Sequence, residues 1–266
     1  MKLFIKILLI TLWVVLAAGA VVIMSFSVEK HNSKACRGIL CSIDYRGNQP
    51  LLSGNDLIAE INGKFGKPQS KQISEVDIPG ISAYIQNNPY LENTDVVVSI
   101  EGTIMIKARQ CVPVIRYLAS DGRQHYIDRN GRIMPVCQAF PYKALIASGN
   151  ITSPLAEGKN IFSVPEKNKL LRSQLLTLYG LHYISGMITA DTVLNSLIEQ
   201  IYLTTNGKFL MVTKAGSHII SFGDTTDAAE KLENLKCFYK NALVKTGWDK
   251  YRKVNLEYKN QIICTK

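Results

Sequence analysis

Between Lys6 and Glu29 the chain runs from Ile7 to Val28 without a single charged residue. A helix of about 20 residues rises roughly 30 Å, the thickness of a bilayer's hydrocarbon core, so the run predicts one N-terminal transmembrane helix. A cleaved signal peptide is the alternative, because Lys2 and Lys6 form a charged start and Ala18-Gly19-Ala20 offers a small-residue cleavage site. The apolar run continues past that site through Val21, Val22, Ile23, Met24 and Phe26, which favours retention. Lys2 and Lys6 before the run face Lys30, Lys34 and Arg37 after it, so flanking charge does not set the orientation. A tail of residues 1–6, a span at 7–28, a tether at 29–38 and a large remainder have the form of a single-pass type II anchor. The bulk of the chain is then translocated.

The tether leaves nearly 230 residues, enough for two small cores. The formal net charge is +10, of which +4 lies beside the predicted anchor. The remaining +6 reads as spread over the domains without a basic block, the pattern of a solvated surface and not of a nucleic-acid site. Six cysteines stand at Cys36, Cys41, Cys111, Cys137, Cys237 and Cys264. None forms a C-x-x-C pair, and no zinc-ligand spacing appears with the four histidines. Disulfides in an oxidising compartment and small buried hydrophobes are both compatible with this usage.

Alternation at Ile39, Cys41, Ile43 and Tyr45 predicts a strand over Ile39–Arg46. Ser53 can cap a helix carrying Leu57, Ile58 and Ile61, and Ile81, Tyr84 and Ile85 mark a second helix. Strands follow at Thr94–Ile100 and Thr103–Arg109 across Glu101-Gly102, with Val96, Val98 and Ile100 facing Ile104 and Ile106. The order is β-α-α-β-β, with helices on one face of a three-stranded sheet. It resembles the polypeptide-transport-associated (POTRA) domain, also in Asn88-Pro89-Tyr90-Leu91 before the hairpin and Lys107-Ala108-Arg109-Gln110-Cys111-Val112-Pro113 at its exit.

Beyond Val114 come short strands at Val114–Leu118, Gln124–Asp128, Arg132–Val136 and Ala144–Ser148, turned by Asp121-Gly122 and Asn130-Gly131. Helices are predicted over Lys167–Tyr179 and Thr189–Ser196, and strands over Ile198–Thr205, Lys208–Thr213 and Ser217–Phe222. Asp227 with Glu230 reads as a capping box opening a helix that ends at Gly247. A last strand then alternates through Val254, Leu256 and Tyr258 toward Cys264. The expected class is α+β: one transmembrane helix, a β-α-α-β-β domain over 39–110, and a mainly antiparallel β-domain with packed helices over 111–266.

No metalloprotease, nucleophile-elbow, phosphate-loop or dinucleotide motif is present. His218 reads as a structural histidine in a strand, and Asp128 as ordinary hairpin chemistry. The reading is of a non-enzyme without cofactor, metal or small-molecule substrate. The informative feature is the terminal strand, because a strand at a chain end tends to form a sheet edge that can accept a partner's strand.

Four later segments carry a more specific resemblance: Gln200-Ile201-Tyr202, Gly216 to Asp224, Lys231 to Leu235, and Val254 to Ile262. Together with Tyr126-Ile127-Asp128-Arg129-Asn130-Gly131, they resemble the FtsQ/DivIB cell-division proteins in their Bacteroidetes-type form. That resemblance implies a divisome scaffold in the inner (cytoplasmic) membrane at the division septum, with its bulk in the periplasm. It implies FtsB-like and FtsL-like partners, an indirect link to the septal wall synthase, and contact through Tyr258, Lys259, Asn260, Gln261 and Ile262. The rival reading is a POTRA-bearing outer-membrane-assembly or secretion component that holds unfolded clients.

Overall fold

A computed structural model describes residues 12–19, 34–69, 71–137, 141–163 and 169–266. It corrects the predicted transmembrane helix. Among the described residues no helix is long and apolar enough to cross a membrane. Of the predicted run, residues 12–19 are described and are helical. The remainder of the Ile7–Val28 run and tether residues 29–33 lie outside the described residues.

The chain divides into two compact units. The first holds Leu52–Asn87 and Leu91–Arg109 together with the chain up to Arg46. The second holds Gly47–Leu51, Asn88–Tyr90 and Gln110–Lys266.

The first unit contains β1 (Gly38–Asp44), α1 (Gly54–Phe65), α2 (Ile78–Gln86), β2 (Leu91–Val98) and β3 (Thr103–Gln110). Ser53 Oγ accepts from Asp56 N at 3.2 Å to open α1, and Asp77 Oδ1 accepts from Gly80 N at 2.8 Å to open α2. The sheet order is β1-β3-β2, with β1 parallel to β3. Leu57 and Ile61 of α1, Ile81 and Ile85 of α2, and Ile104 and Ile106 of β3 form its core. The predicted placement of Ile100 on the inner face is wrong, as that residue is 81% exposed. The β2–β3 connection takes four residues, with Gly102 N donating to Ser99 O at 3.0 Å, and this turn lifts Ile100 off the sheet.

The second unit is built on β4 (Pro113–Leu118), β5 (Gln124–Asp128), β6 (Ile133–Pro135), β7 (Leu145–Gly149), β8 (Ile198–Leu203), β9 (Phe209–Thr213), β10 (Ile219–Gly223), β11 (Lys253–Asn255) and β12 (Ile263–Thr265). Their order in one sheet is β12-β11-β10-β9-β8-β7-β4-β5-β6. The sheet is mixed: five of its eight pairings are antiparallel, whereas β4–β7, β7–β8 and β10–β11 are parallel. Parallel neighbours require a crossover, and helices supply two of them. α3 (Lys169–Ala190) and α4 (Thr192–Leu197) link β7 to β8, and α5 (Ala228–Phe238) lies between β10 and β11.

α3 also outruns its predicted end at Tyr179. Gly180 lies inside it where an added Cβ would come within 3.0 Å of the Phe209 ring, so this glycine permits close packing and does not stop the helix. The stripe Leu178, Leu181, Ile184 and Ile188 is buried in one core with Ile115, Tyr117, Ala147 and Ile201, and Leu175 is buried as well. Each such side chain contributes ~1.5–3 kcal/mol relative to exposure. Leu232 and Leu235 of α5 and the following Tyr239 join the same core with Ile220, Phe222 and Val254. The predicted capping box at Asp227 is absent: the residue is left-handed at φ 49° and its side chain caps nothing.

The two faces of the first unit's sheet give a direct test. Ile106→Asp places an unpaired carboxylate in the core and is expected to cost at least ~3 kcal/mol, whereas Leu40→Asp on the exposed face is expected to stay within ~0.5 kcal/mol. Denaturant titration of the full chain, with hydrogen exchange read at Ile104 to Ala108, checks this. Equal effects of the two variants would show the face assignment to be wrong.

Candidate functional site

The C-terminal strand pair begins where β11 ends. Leu256 N donates to Ser221 O at 2.9 Å and its side chain is buried, and Glu257 N then donates to Asn255 Oδ1 at 2.9 Å, which turns the chain off the strand line. Asn260 takes a left-handed conformation at φ 58°, and the chain returns as β12. β12 runs antiparallel to β11, pairing Asn255 with Ile263, Val254 with Cys264 and Lys253 with Thr265. Tyr258, Lys259, Asn260, Gln261 and Ile262 are therefore not a strand, as the sequence suggested, but the loop between two short strands. Their alternation breaks because Leu256 commits to the core and Asn260 to a turn.

Tyr258 is 52% exposed, so its ring belongs to the surface and not to the core, and Ile262 packs partly against the core. All five residues line a cleft of about 210 Å³ against the start of α5. Its opposite wall includes Asp224, Asp227, Glu230, Lys231 and Asn234. Two of the cleft's four carboxylates, Asp224 and Glu257, are paired. Lys208 Nζ lies 3.3 Å from Asp224 and 3.5 Å from Glu257, and Lys231 Nζ donates to Asp224 O at 3.0 Å. The backbone N–H of Thr226, helped by Lys208, holds Asp224 down to about 2. Ser221 Oγ donates to Glu257 Oε1 at 3.0 Å, which ties the loop back to β10.

The two ends of the sheet differ. At β6, Ile133 N donates to Lys159 O at 2.9 Å, Gly158 N donates to Ile133 O at 2.8 Å, and Arg132 bridges Asn160, so a loop covers that edge. At β12 no further strand follows among the described residues. The open edge adjoins a bare face. Register aligns Arg116, Ile146, Gln200, Val212, Ile219, Lys253 and Thr265 in one row across seven strands. The neighbouring row runs Ser148, Tyr202, Leu210, Ser221, Asn255 and Ile263. Ile146, Tyr202, Ile219 and Ile263 on these rows are 42–45% exposed, interspersed with polar residues, and Ser221 is covered by Glu257.

The histidine and aspartate singled out in the sequence do local work. His218 is buried with its Nε2 bonded to the Tyr239 hydroxyl, and burial lowers its pKa. Asp128 Oδ1 accepts from Asn130 N at 2.9 Å and Arg132 N at 2.7 Å, fixing a hairpin turn. Cys36, Cys41, Cys237 and Cys264 are free thiols. Sequence reasoning missed the covered β6 edge and the bare face, both of which depend on non-local pairing. The Asn255-x-Glu257 and Asn260 turn signals were available, since asparagine favours both Asx turns and left-handed backbone.

A family model described as FtsQ/DivIB, C-terminal related, matches residues 112–265, nearly all of the second unit. Comparison with curated proteins gives no match.

Asp224 makes the cleft acid-sensitive. Its folded pKa lies below the ordinary 3.8, so the stabilisation is complete above about pH 4 and is lost as pH falls toward 2. The carboxylate is half exposed and screened, which limits the effect to less than about 1 kcal/mol. Asp224→Asn is expected to flatten the decline in stability between pH 4 and pH 2, measured by urea unfolding at stepped pH. An unchanged decline would assign the acid limb to other groups.

Proposed function

The chain belongs to the FtsQ/DivIB C-terminal-related family, and on that premise of a cell-division role we propose that it is a non-catalytic scaffold of the division machinery. In this reading the β-α-α-β-β unit over 39–110 is a POTRA domain and residues 111–266 are the partner-binding β-domain. Both act outside the cytoplasmic membrane at the septum. The partners are FtsB-like and FtsL-like division proteins, through which the scaffold influences the septal wall synthase.

One observation carries the reading: the large sheet has one edge sealed by its own loop and the other left open at β12. Unpaired N–H and C=O groups of an edge strand can add a partner strand, and natural proteins usually blunt such edges when they have no use for them. Tyr258, Lys259, Asn260, Gln261 and Ile262, in the loop leading into β12, would then meet the residues flanking the incoming strand. The exposed Ile263 on β12 offers it apolar footing.

Adjacent residues of a strand direct their N–H groups alternately inward and outward, and proline deletes one donor. Of Cys264→Pro and Thr265→Pro, one is expected to abolish binding of the FtsB-like partner by calorimetry while circular dichroism stays native. Tyr258→Ala is expected to weaken it by roughly tenfold, the loss of an exposed aromatic anchor. Binding by both proline variants at parental affinity would refute strand addition at this edge. A fluorescent fusion of the full chain is expected to form a mid-cell band, and an even envelope signal would argue against the division role.

A further inference from the structure

A second surface lies on the helical layer of the same unit. α5 does not end as an α-helix but passes into a π-helical turn, Tyr239–Leu243. The wider turn keeps Leu243 buried yet turns Val244 outward, leaving it 67% exposed. π-turns inside helices frequently occur at functional sites. Val244 and Trp248 form one wall of a groove whose other wall is Val193 of α4 with Cys237 of α5. Its floor is Tyr239, packed on Trp248 with ring centroids 5.4 Å apart. The groove encloses about 460 Å³, within the roughly 300–1,000 Å³ of ligand-accepting clefts.

Charge tells what fits it. The lining includes Lys236 and Lys240 but no carboxylate. Lys236 is neutralised by Asp191 at 2.7 Å and Glu233 at 2.6 Å. Lys240 makes no ion pair among the described residues, and Lys245 follows Val244 directly. From Lys236 to Lys253 the chain carries six cations against Asp249 alone, so half of its +10 net charge sits in this stretch. The sequence reading of an evenly spread charge is corrected here.

We propose that this groove is a second docking site, for an acidic amphipathic helix of a protein partner that inserts large apolar side chains between Val193 and Val244 and sets carboxylates against Lys240 and Lys245. Apart from Trp248 the lining residues sit on helical turns, whose backbone groups pair internally, so the occupant must bring side chains and not a strand. The buried Tyr239 between these exposed residues gives an inserted side chain a seat, which a lipid surface does not need. The site does not depend on strand addition at the β12 edge.

Panning a display library of helical peptides of about 16 residues against the full chain tests this. Enriched sequences are expected to be net acidic, with large apolar residues at i and i+3 or i+4. They should lose at least tenfold in affinity on Val244→Asp and roughly tenfold on Lys240→Glu, weaken with salt, and bind unchanged to Thr265→Pro. Both groove variants alter exposed side chains and are expected to fold. In a Trp13→Phe background the remaining tryptophan, Trp248, should shift to the blue on peptide binding. No enrichment, a neutral or basic consensus, or binding by Val244→Asp within twofold of the parent would overturn the proposal. A Trp248 shift with phosphatidylglycerol vesicles and none with the peptides would overturn it in favour of a lipid surface.

Discussion

The parallel pairing of β7 with β8 governs the second unit. A parallel connection must leave the sheet plane and return, and such crossovers are right-handed in nearly all proteins. β8 is parallel to β7, β9 antiparallel to β8, and β10 antiparallel to β9, so β7 and β10 point the same way. Both then cross to the same side in the strand order, β7 to β8 and β10 to β11. Equal direction and equal hand put both crossovers on one face. That is why α3 and α5 share a single core with Ile115, Ile201, Ile220 and Val254. The bare opposite face follows from this topology, and with it the exposed row that includes Ile146 and Ile219.

The edges follow from the same layout. Nine strands in one sheet do not close on themselves, so two edges remain and each must be covered, blunted or used. At β6 the chain spends the Gly158–Asn160 segment on backbone pairing. At β12 it stops at three residues, with Ile263 exposed and the loop before it tied to β10 by the Ser221–Glu257 bond. A short strand held in register by a tethered loop is a preorganised edge, and preorganisation reduces the ordering cost that a strand-adding partner must overcome.

What was legible in the sequence was local. Period-2 runs and Asn-Gly or Asp-Gly turns placed most strands, and Ser53 marked the start of α1, because these signals act within a few residues. The misses were cases where a distant contact overrode a local signal. The helix predicted to end at Tyr179 runs on through Gly180, whose lack of a side chain lets Phe209 pack close against it. Tyr258 to Ile262 looked like the end of a strand, since Val254, Leu256 and Tyr258 alternate. The burial of Leu256 and the left-handed Asn260 instead make that stretch a loop beside the edge. The parallel pairings had no local trace at all, whereas the cations from Lys236 to Lys253 stand together in the sequence and were missed there; only the groove beside them required α4 to be brought next to α5.

The two surfaces differ in what they read. An edge strand recognises backbone and so is tolerant of partner sequence, with selectivity supplied by flanking side chains such as Tyr258. The groove beside Trp248 offers no backbone and reads apolar volume and charge. Electrostatic complementarity mainly raises association rates and rejects wrong partners, whereas backbone pairing gives a lasting contact. The helical layer and the sheet edge would therefore make separable contributions to any partner that carries an acidic helix and a strand. If one partner spans both, a linker long enough to reach from helix to strand would raise its avidity by making the second contact intramolecular, and a shorter one would forbid simultaneous binding. Which of these holds is then a matter of partner geometry and not of this fold, because both surfaces are fixed by the same core that α3 and α5 share.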